Sequence, residues 1–237
     1  MISVLCSNYN SSETIGNYLR YINSQIHKEF EVLFVDANST DDSLQKIKEF
    51  SFREGITKKV IECDTRISIY EAWNRAIENS SYDYVMNYNT DDKLFSSALH
   101  LLSIYAQMFP DEDVIYSDCL ISEDKNHNTY KGIHSWGDAN SMKRLLYVGC
   151  CCGPFPLVRK RAIEDAGMFD SKFTISGDYE MWCRLNSKGS KFIKIQEPVG
   201  VFYDNPEGRS SQKDEARLQE QIKEDTQIRL LYKEFIS

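Results

Sequence analysis

The sequence predicts an α/β fold: a mostly parallel central sheet with helices on both faces, and a less regular, mixed C-terminal half. Three observations carry this. Short apolar strands alternate with amphipathic helices through about residue 88, the pattern of βαβ units. The strand at 2–6 is apolar enough to read as buried, and Val, Tyr and Met at 84–88 suit a half-buried strand. Each strand empties into a loop of Ser, Asn, Thr and Asp.

Taken in order, residues 2–6 form a buried strand ended by Ser7, Asn8, Tyr9 and Asn10. Ser11 or Ser12 is placed to cap a helix reaching Ile26, with Ile15, Leu19 and Ile22 on one face. A second strand covers 31–36, and a helix over 41–52 turns Leu44, Ile47 and Phe50 inward. A third strand at 58–62, a helix at 69–79 and a fourth strand at 84–88 complete this half. Beyond it, 95–109 reads as a helix stopped by Pro110, and 114–116 as a short strand. Segments 120–121 and 130–133 form a hairpin around the polar stretch 123–130. A helix is expected at 139–147. Residues 155–158 read as an edge strand because of Pro154 and Pro156. Helices follow at 160–166, ended by Gly167, and at 178–187, and strand-like runs at 191–195 and 199–203. A charged helix at 214–235 is expected to turn Leu218, Ile222, Ile228, Leu231 and Phe235 toward the body. No repeat or low-complexity linker divides the chain. It reads as one domain: a donor half over about 1–110, an acceptor half over about 111–210, and a terminal helix over 211–237.

The net charge of −8 disfavours nonspecific binding to nucleic acid or anionic membranes. The seven cysteines match no zinc spacing and read as reduced, buried thiols of a cytoplasmic protein. No signal peptide is visible. No apolar run reaches membrane-spanning length, since 145–158 is broken by Gly149, Gly153, Pro154 and Pro156. The basic run Arg159, Lys160 and Arg161 is either a solvated helix start or a contact for phosphate or a lipid headgroup. None of the four histidines pairs with another in the sequence pattern, and His127 falls in a polar loop.

The chemistry gathers at strand ends. Ser7 and Tyr9 follow the first strand, Asp36, Asn38 and Ser39 the second, and Asp91 and Asp92 the fourth. In an open parallel sheet these ends share one edge, where ligands bind. Two adjacent carboxylates repel unless a cation lies between them, and carboxylate oxygens suit Mg²⁺ or Mn²⁺ shared with a diphosphate. The alternative for Asp91 or Asp92 is the cap of the following helix.

Residues 4–10 and 31–43, the helix Ile69-Tyr70-Glu71-Ala72-Trp73-Asn74-Arg75, the stretch Asn89-Thr90-Asp91-Asp92 and the run Ser176-Gly177-Asp178-Tyr179-Glu180 occur in that order. Together they resemble the family 2 glycosyltransferases of the GT-A fold, a Rossmann-like architecture. The resemblance spans about residues 2–203. It implies an inverting, metal-dependent transfer of a sugar from a nucleotide sugar, UDP-linked, to a carbohydrate or lipid-linked acceptor in bacterial surface polysaccharide assembly. It implies that Ser7, Tyr9 and Asp36 hold the base, with Arg66 and Asn74 as further base or diphosphate contacts. It implies that Asp91 meets the ribose or metal, and that Asp92 binds the Mn²⁺ or Mg²⁺ bridging the diphosphate. Asp178 is implied as general base. Trp136, Gly153 and Trp182 are placed on the acceptor side, with core packing as the alternative. Action at the inner face of the membrane, by peripheral association, is compatible with this reading. The sequence departs from the family at Ala37, where a second acid is common, at Asn89 in place of Asp, and at Gly177 in place of an acid. No late histidine is evident, and Arg209 and Ser210 are the candidate replacements. Two other readings remain. A sugar nucleotidyltransferase would want a glycine-rich, basic loop after the first strand, which is missing. A noncatalytic nucleotide- or glycan-binding module would bind donor without turnover.

Overall fold

The computed structural model describes residues 1–206, 208 and 214–236. Its larger sheet has seven strands in the order β10-β6-β9-β4-β1-β2-β3. The strands are β1 (Ile2–Asn8), β2 (Phe30–Asp36), β3 (Ile56–Glu62), β4 (Tyr84–Asn87), β6 (Val114–Ser117), β9 (Leu157–Arg159) and β10 (Phe192–Ile195). β1, β2, β3 and β4 pair in parallel, as do β6 and β10, while β9 runs antiparallel between β4 and β6. A second sheet, in the order β5-β11-β7-β8, comprises β5 (Lys93–Leu94), β7 (Cys119–Ser122), β8 (Gly132–His134) and β11 (Gly200–Tyr203).

Both faces of the large sheet are covered. Along β1, Leu5 enters one core cluster while Ile2, Val4 and Cys6 enter the other; along β2, Leu33 and Val35 alternate in the same way with Phe30, Val32 and Phe34. This alternation explains why these two strands read as mostly apolar. The flanking helices of this half are α1 (Ile15–Asn23), α2 (Ser43–Glu49) and α3 (Ile69–Glu78). The other helices are α4 (Ala98–Met108), α5 (Met142–Val148), α6 (Lys160–Ala166), α7 (Gly177–Ser187) and α8 (Glu215–Tyr232).

Several expectations need correction. α1 starts at Ile15 because the Ser11 hydroxyl is drawn back to Asn8 rather than to a helix N–H. The chain after Asp92 forms β5, not a helix, so neither aspartate caps α4; Ser97 holds that position. β9 is internal rather than an edge. Pro154 and Pro156 precede it, so neither removes a donor from its ladders. On α8 the buried residues are Glu224, Ile228 and Tyr232, whereas Ile222 and Leu231, and Phe235 in the 3-10 turn that follows, are exposed. The i, i+4, i+8 face is set by a carboxylate that hydropathy alone assigns to solvent.

Candidate donor and acceptor site

The parallel register lines up the strand ends. Asn8 lies opposite Asp36, and Asp36 opposite Glu62. Asp36 is buried, and its carboxylate is held from several sides. Asn8 Nδ2 and Ser39 Oγ each donate to Oδ1 at 2.6 Å, and Ser39 N–H donates to Oδ2 at 2.9 Å. Asn8 also donates to Ser39 and Ser43, so one amide ties the end of β1 to the start of α2. Asn38 turns the chain at φ 63°, a left-handed conformation that Asn tolerates better than most residues. The result is a rigid carboxylate at the carboxyl edge of the sheet. Ser7, on β1, is partly exposed at this edge. Tyr9 is exposed, and the Arg66 guanidinium lies 4.3 Å from its ring centroid. This cation–π pair presents an aromatic face beside Asp36's loop.

Asn74 is engaged by the protein itself. Its amide donates to Phe169 O at 2.8 Å and accepts from Phe169 N–H at 2.9 Å, which engages both of its ends in bracing the 169 turn.

The two adjacent aspartates differ in exposure. Asp92 is 1% exposed, and its Oδ1 accepts from Tyr203 N–H at 2.9 Å, tying β11 to the start of β5. Burial, with Asp91 alongside, pushes its carboxyl well above the ordinary carboxylate value. With its Oδ1 engaged by the Tyr203 N–H and the group buried, Asp92 is the less accessible of the two carboxylates. Asp91 is partly exposed, with Asn205 Nδ2 donating to its Oδ2 at 3.1 Å. Among the described residues, no three His, Cys, Asp or Glu side chains gather into a complete metal cage. One accessible carboxylate fits a hard divalent cation that takes most of its remaining oxygens from substrate phosphates and water. Arg209 and Ser210 lie outside the described residues.

His127 is a neighbour that sequence reasoning missed. It is 2% exposed, between the rings of Tyr21 and Tyr203 at 6.0 and 6.1 Å, in the loop after β7. Burial lowers its pKa, and the Asp91 carbonyl and the Asp124 and Asp91 charges oppose that shift. A polar loop gave no signal that its histidine would be folded inward; the Tyr21 and Tyr203 rings that cover it come from distant positions.

The other carboxylate of interest, Asp178, stands in the first turn of α7. Its Oδ1 accepts from Tyr179 N–H at 2.8 Å, and the Cys150 thiol faces Oδ2 at 3.9 Å. The group is partly accessible yet surrounded by protein. Burial raises its pKa to about 6, and Asp225 adds to the rise. Tyr70, in the first turn of α3, fixes the approach to it. Its hydroxyl donates to Ile175 O at 2.6 Å and accepts from Gly177 N–H at 2.8 Å. The departure at Gly177 now has a reason, since a Cβ there would lie 2.7 Å from the Tyr70 ring. α3 begins at the same sheet edge as the Asp36 loop, so Tyr70 brings the Asp178 turn to that edge.

The expected acceptor residues divide as well. Trp182 is 1% exposed and belongs to the core. Trp136 is partly buried, packs against both core clusters and lies against His134 in a tilted arrangement with centroids 4.2 Å apart. Gly153, at φ 68°, admits the Trp136 indole, which a Cβ would meet at 2.6 Å. The basic run is partly engaged by the protein, with Arg161 left on the solvated surface. Arg159 pairs with Asp113 and Lys160 donates to Ser80 O, while Arg161 pairs with Asp165. All seven cysteines are free thiols.

The profile of glycosyl transferase family 2 matches residues 3–167. The chain belongs to that family. It is 29% identical over 212 residues to the amylovoran biosynthesis glycosyltransferase AmsB of Erwinia amylovora, covering 85% of this chain and 69% of that protein. It is 21% identical over 193 residues to the GalNAc(5)-diNAcBac-PP-undecaprenol beta-1,3-glucosyltransferase of Campylobacter jejuni, covering 81% and 62%. Among solved structures, S. aureus TarS 1-349 in complex with UDP superposes with TM-score 0.71 at 20% identity, over 86% of this chain and 61% of that one. A mannosyltransferase from Pyrobaculum calidifontis in complex with GDP-Man and Mn2+ gives 0.67 at 16%, over 87% and 58%. The chain therefore spans only part of these solved structures, 37% in the case of the longer TarS chain. The fold is GT-A, and the chain carries a glycosyl transferase family 2 domain. No helix among the described residues is long and apolar enough to cross a membrane.

Proposed function

We propose that the protein transfers a sugar from a UDP-linked donor to a hydroxyl of a glycan or lipid-linked glycan acceptor, with inversion. The observation that carries this is Asp178. It is a carboxylate poised at about 6, on a turn that Tyr70 anchors to the edge where Asp36 and Asp91 stand. In this reading the Asp36 carboxylate accepts from the base N–H, the Tyr9 face stacks on the ring, and Ser7 and Arg66 flank them. Asp91 would hold Mn²⁺ or Mg²⁺ at the donor's diphosphate. When bound, that ion neutralises charge on the departing nucleoside diphosphate. Asp178 takes the proton of the acceptor hydroxyl as its oxygen attacks the anomeric carbon. The carbon–phosphate oxygen bond breaks on the opposite side, and its electron pair leaves with the diphosphate. One displacement inverts the centre.

The relatives named for amylovoran biosynthesis and for an undecaprenol-linked glycan support a role in bacterial surface polysaccharide assembly. They are also consistent with action in the cytoplasm, at the inner face of the membrane. The deciding experiment measures binding of UDP, GDP and dTDP with and without Mn²⁺ to wild type, Asp91→Asn and Asp92→Asn. The reading expects Mn²⁺-dependent UDP binding that Asp91→Asn loses and Asp92→Asn largely keeps. Preferential GDP or dTDP binding would replace the UDP assignment, and no nucleotide binding at all would overturn the donor site.

A further inference from the structure

The terminal helix carries a buried carboxylate that does more than hold the helix down. Glu224 is 4% exposed. Its Oε1 accepts from Thr174 N–H at 2.6 Å and from the Thr174 hydroxyl at 2.9 Å. Its Oε2 accepts from Ile175 N–H at 3.0 Å and from Ser176 N–H at 2.7 Å. The next residue, Asp225, accepts from Ser176 Oγ at 2.6 Å. Three successive backbone donors thus converge on one side chain from α8, two to four residues before Asp178.

Docking α8 does not by itself call for such an arrangement. Ile228 and Tyr232 bury the same face one and two turns on, and the Tyr232 hydroxyl donates to Glu180 of α7 at 2.5 Å. Burying a carboxylate is expensive unless its lone pairs are filled, and here four donors fill them. The converse also holds, because buried backbone N–H groups need an acceptor, and Glu224 supplies one to all three. Tyr70 grips the same turn from α3, through Ile175 O and Gly177 N–H. The turn ahead of Asp178 is therefore held between two side chains, one from the donor half and one from the terminal helix.

We propose that Glu224 is a positioning residue for the transfer reaction, fixing the 174–176 turn so that α7 starts where Asp178 meets the acceptor hydroxyl. The inference rests on the reading of Asp178 as base. It makes α8 part of the apparatus that positions the base.

The test uses the full chain, with kcat and the donor and acceptor KM measured on purified variants whose folding is checked by circular dichroism. In Glu224→Gln the amide nitrogen meets backbone donors and forfeits about half of the four bonds. Thr174→Ala removes one of the four bonds to Glu224, that from the Thr174 hydroxyl, and serves if the first variant fails to fold. Ile228→Ala loosens α8 without touching the carboxylate. The expected result for Glu224→Gln is a kcat lowered by about 10- to 100-fold with donor KM and UDP affinity unchanged, because small misplacements of a reacting group cost on that order. Thr174→Ala loses a few-fold in the same direction. Ile228→Ala lowers the melting temperature but keeps kcat below its transition. If Glu224→Gln or Thr174→Ala keeps wild-type kcat, or if donor KM rises in step with the loss, the positioning role is overturned. Asp178→Asn separates the two readings. Turnover surviving in Asp178→Asn overturns the base assignment itself. Turnover lost there but intact in Glu224→Gln overturns only the role of Glu224.

Discussion

Replacing Asp178 with Asn should stabilise the folded protein at neutral pH while removing its activity. The reasoning is linkage. Asp178 ionises at about 6 in the folded chain against an ordinary value of 3.8, because burial and the Asp225 charge disfavour the carboxylate. A group with a raised folded pKa binds its proton more tightly when folded. Folding stability therefore falls as pH rises from about 4 to about 6, and the whole penalty is present above that range. The difference corresponds to about 3 kcal/mol at most. Partial accessibility of the side chain screens it, so about 1–3 kcal/mol is the working figure. Asn cannot ionise, is close in shape, and can still accept from Tyr179 N–H through its carbonyl. The melting temperature of Asp178→Asn should exceed that of wild type by roughly 2–10 °C at pH 7.5. The gap should close toward pH 4, where wild-type Asp178 is protonated. Every other titrating group is common to both proteins and largely cancels in the difference. The assay is differential scanning calorimetry of both proteins from pH 4 to 8. Turnover is measured alongside and is expected to fall by about 10²- to 10⁴-fold. A gap that does not change between pH 4.5 and 7.5, or a wild type more stable than the variant at pH 7.5, would refute the raised-carboxylate argument.

Further consequences follow from the same contacts. Gly177→Ala places a methyl 2.7 Å from the Tyr70 ring and should cost about 1–3 kcal/mol, read as a lower denaturation midpoint with reduced turnover. Asn74→Ala removes both bonds to the Phe169 backbone and should cost about 1–3 kcal/mol. Its donor KM should stay unchanged; a rise of tenfold or more would place Asn74 in the donor set. Asn8→Ala frees one side of the Asp36 carboxylate and should weaken UDP binding by about 5- to 30-fold, since roughly 1–2 kcal/mol of preorganisation is lost. Isothermal titration checks it, and unchanged affinity would detach Asp36 from base recognition.

The first half of the chain was legible because its signals are local. A strand covered on both faces reads as mostly apolar, and a loop that ends it must be polar, so β1, β2 and β4 and the Asp36 and Asp91 loops stand out in the residue order alone. The Asp178 turn was legible through its motif. Roles set by what packs across from a residue were not legible. Asp91 and Asp92 are neighbours in sequence, and only the pairing of β5 with β11 buries one and leaves the other partly open to solvent. Asn74 lies in a helix that matches the family pattern, yet the 169 turn takes up its amide. Trp182 and Trp136 are alike as residues, but one fills the core and the other sits nearer the surface. His127 was read as a loop residue because nothing near it in sequence covers it.

Local order in the sequence determined the α/β architecture, the strand ends that carry the chemistry, and the family. It did so because strand alternation, apolar runs and turn residues are short-range physics. Only the tertiary structure decided which carboxylate stays accessible and why position 177 must be glycine. It also decided that a glutamate 46 residues beyond Asp178 closes over the turn before it. Each of those outcomes depends on desolvation and on donors supplied by distant segments, and neither is present until the chain is folded.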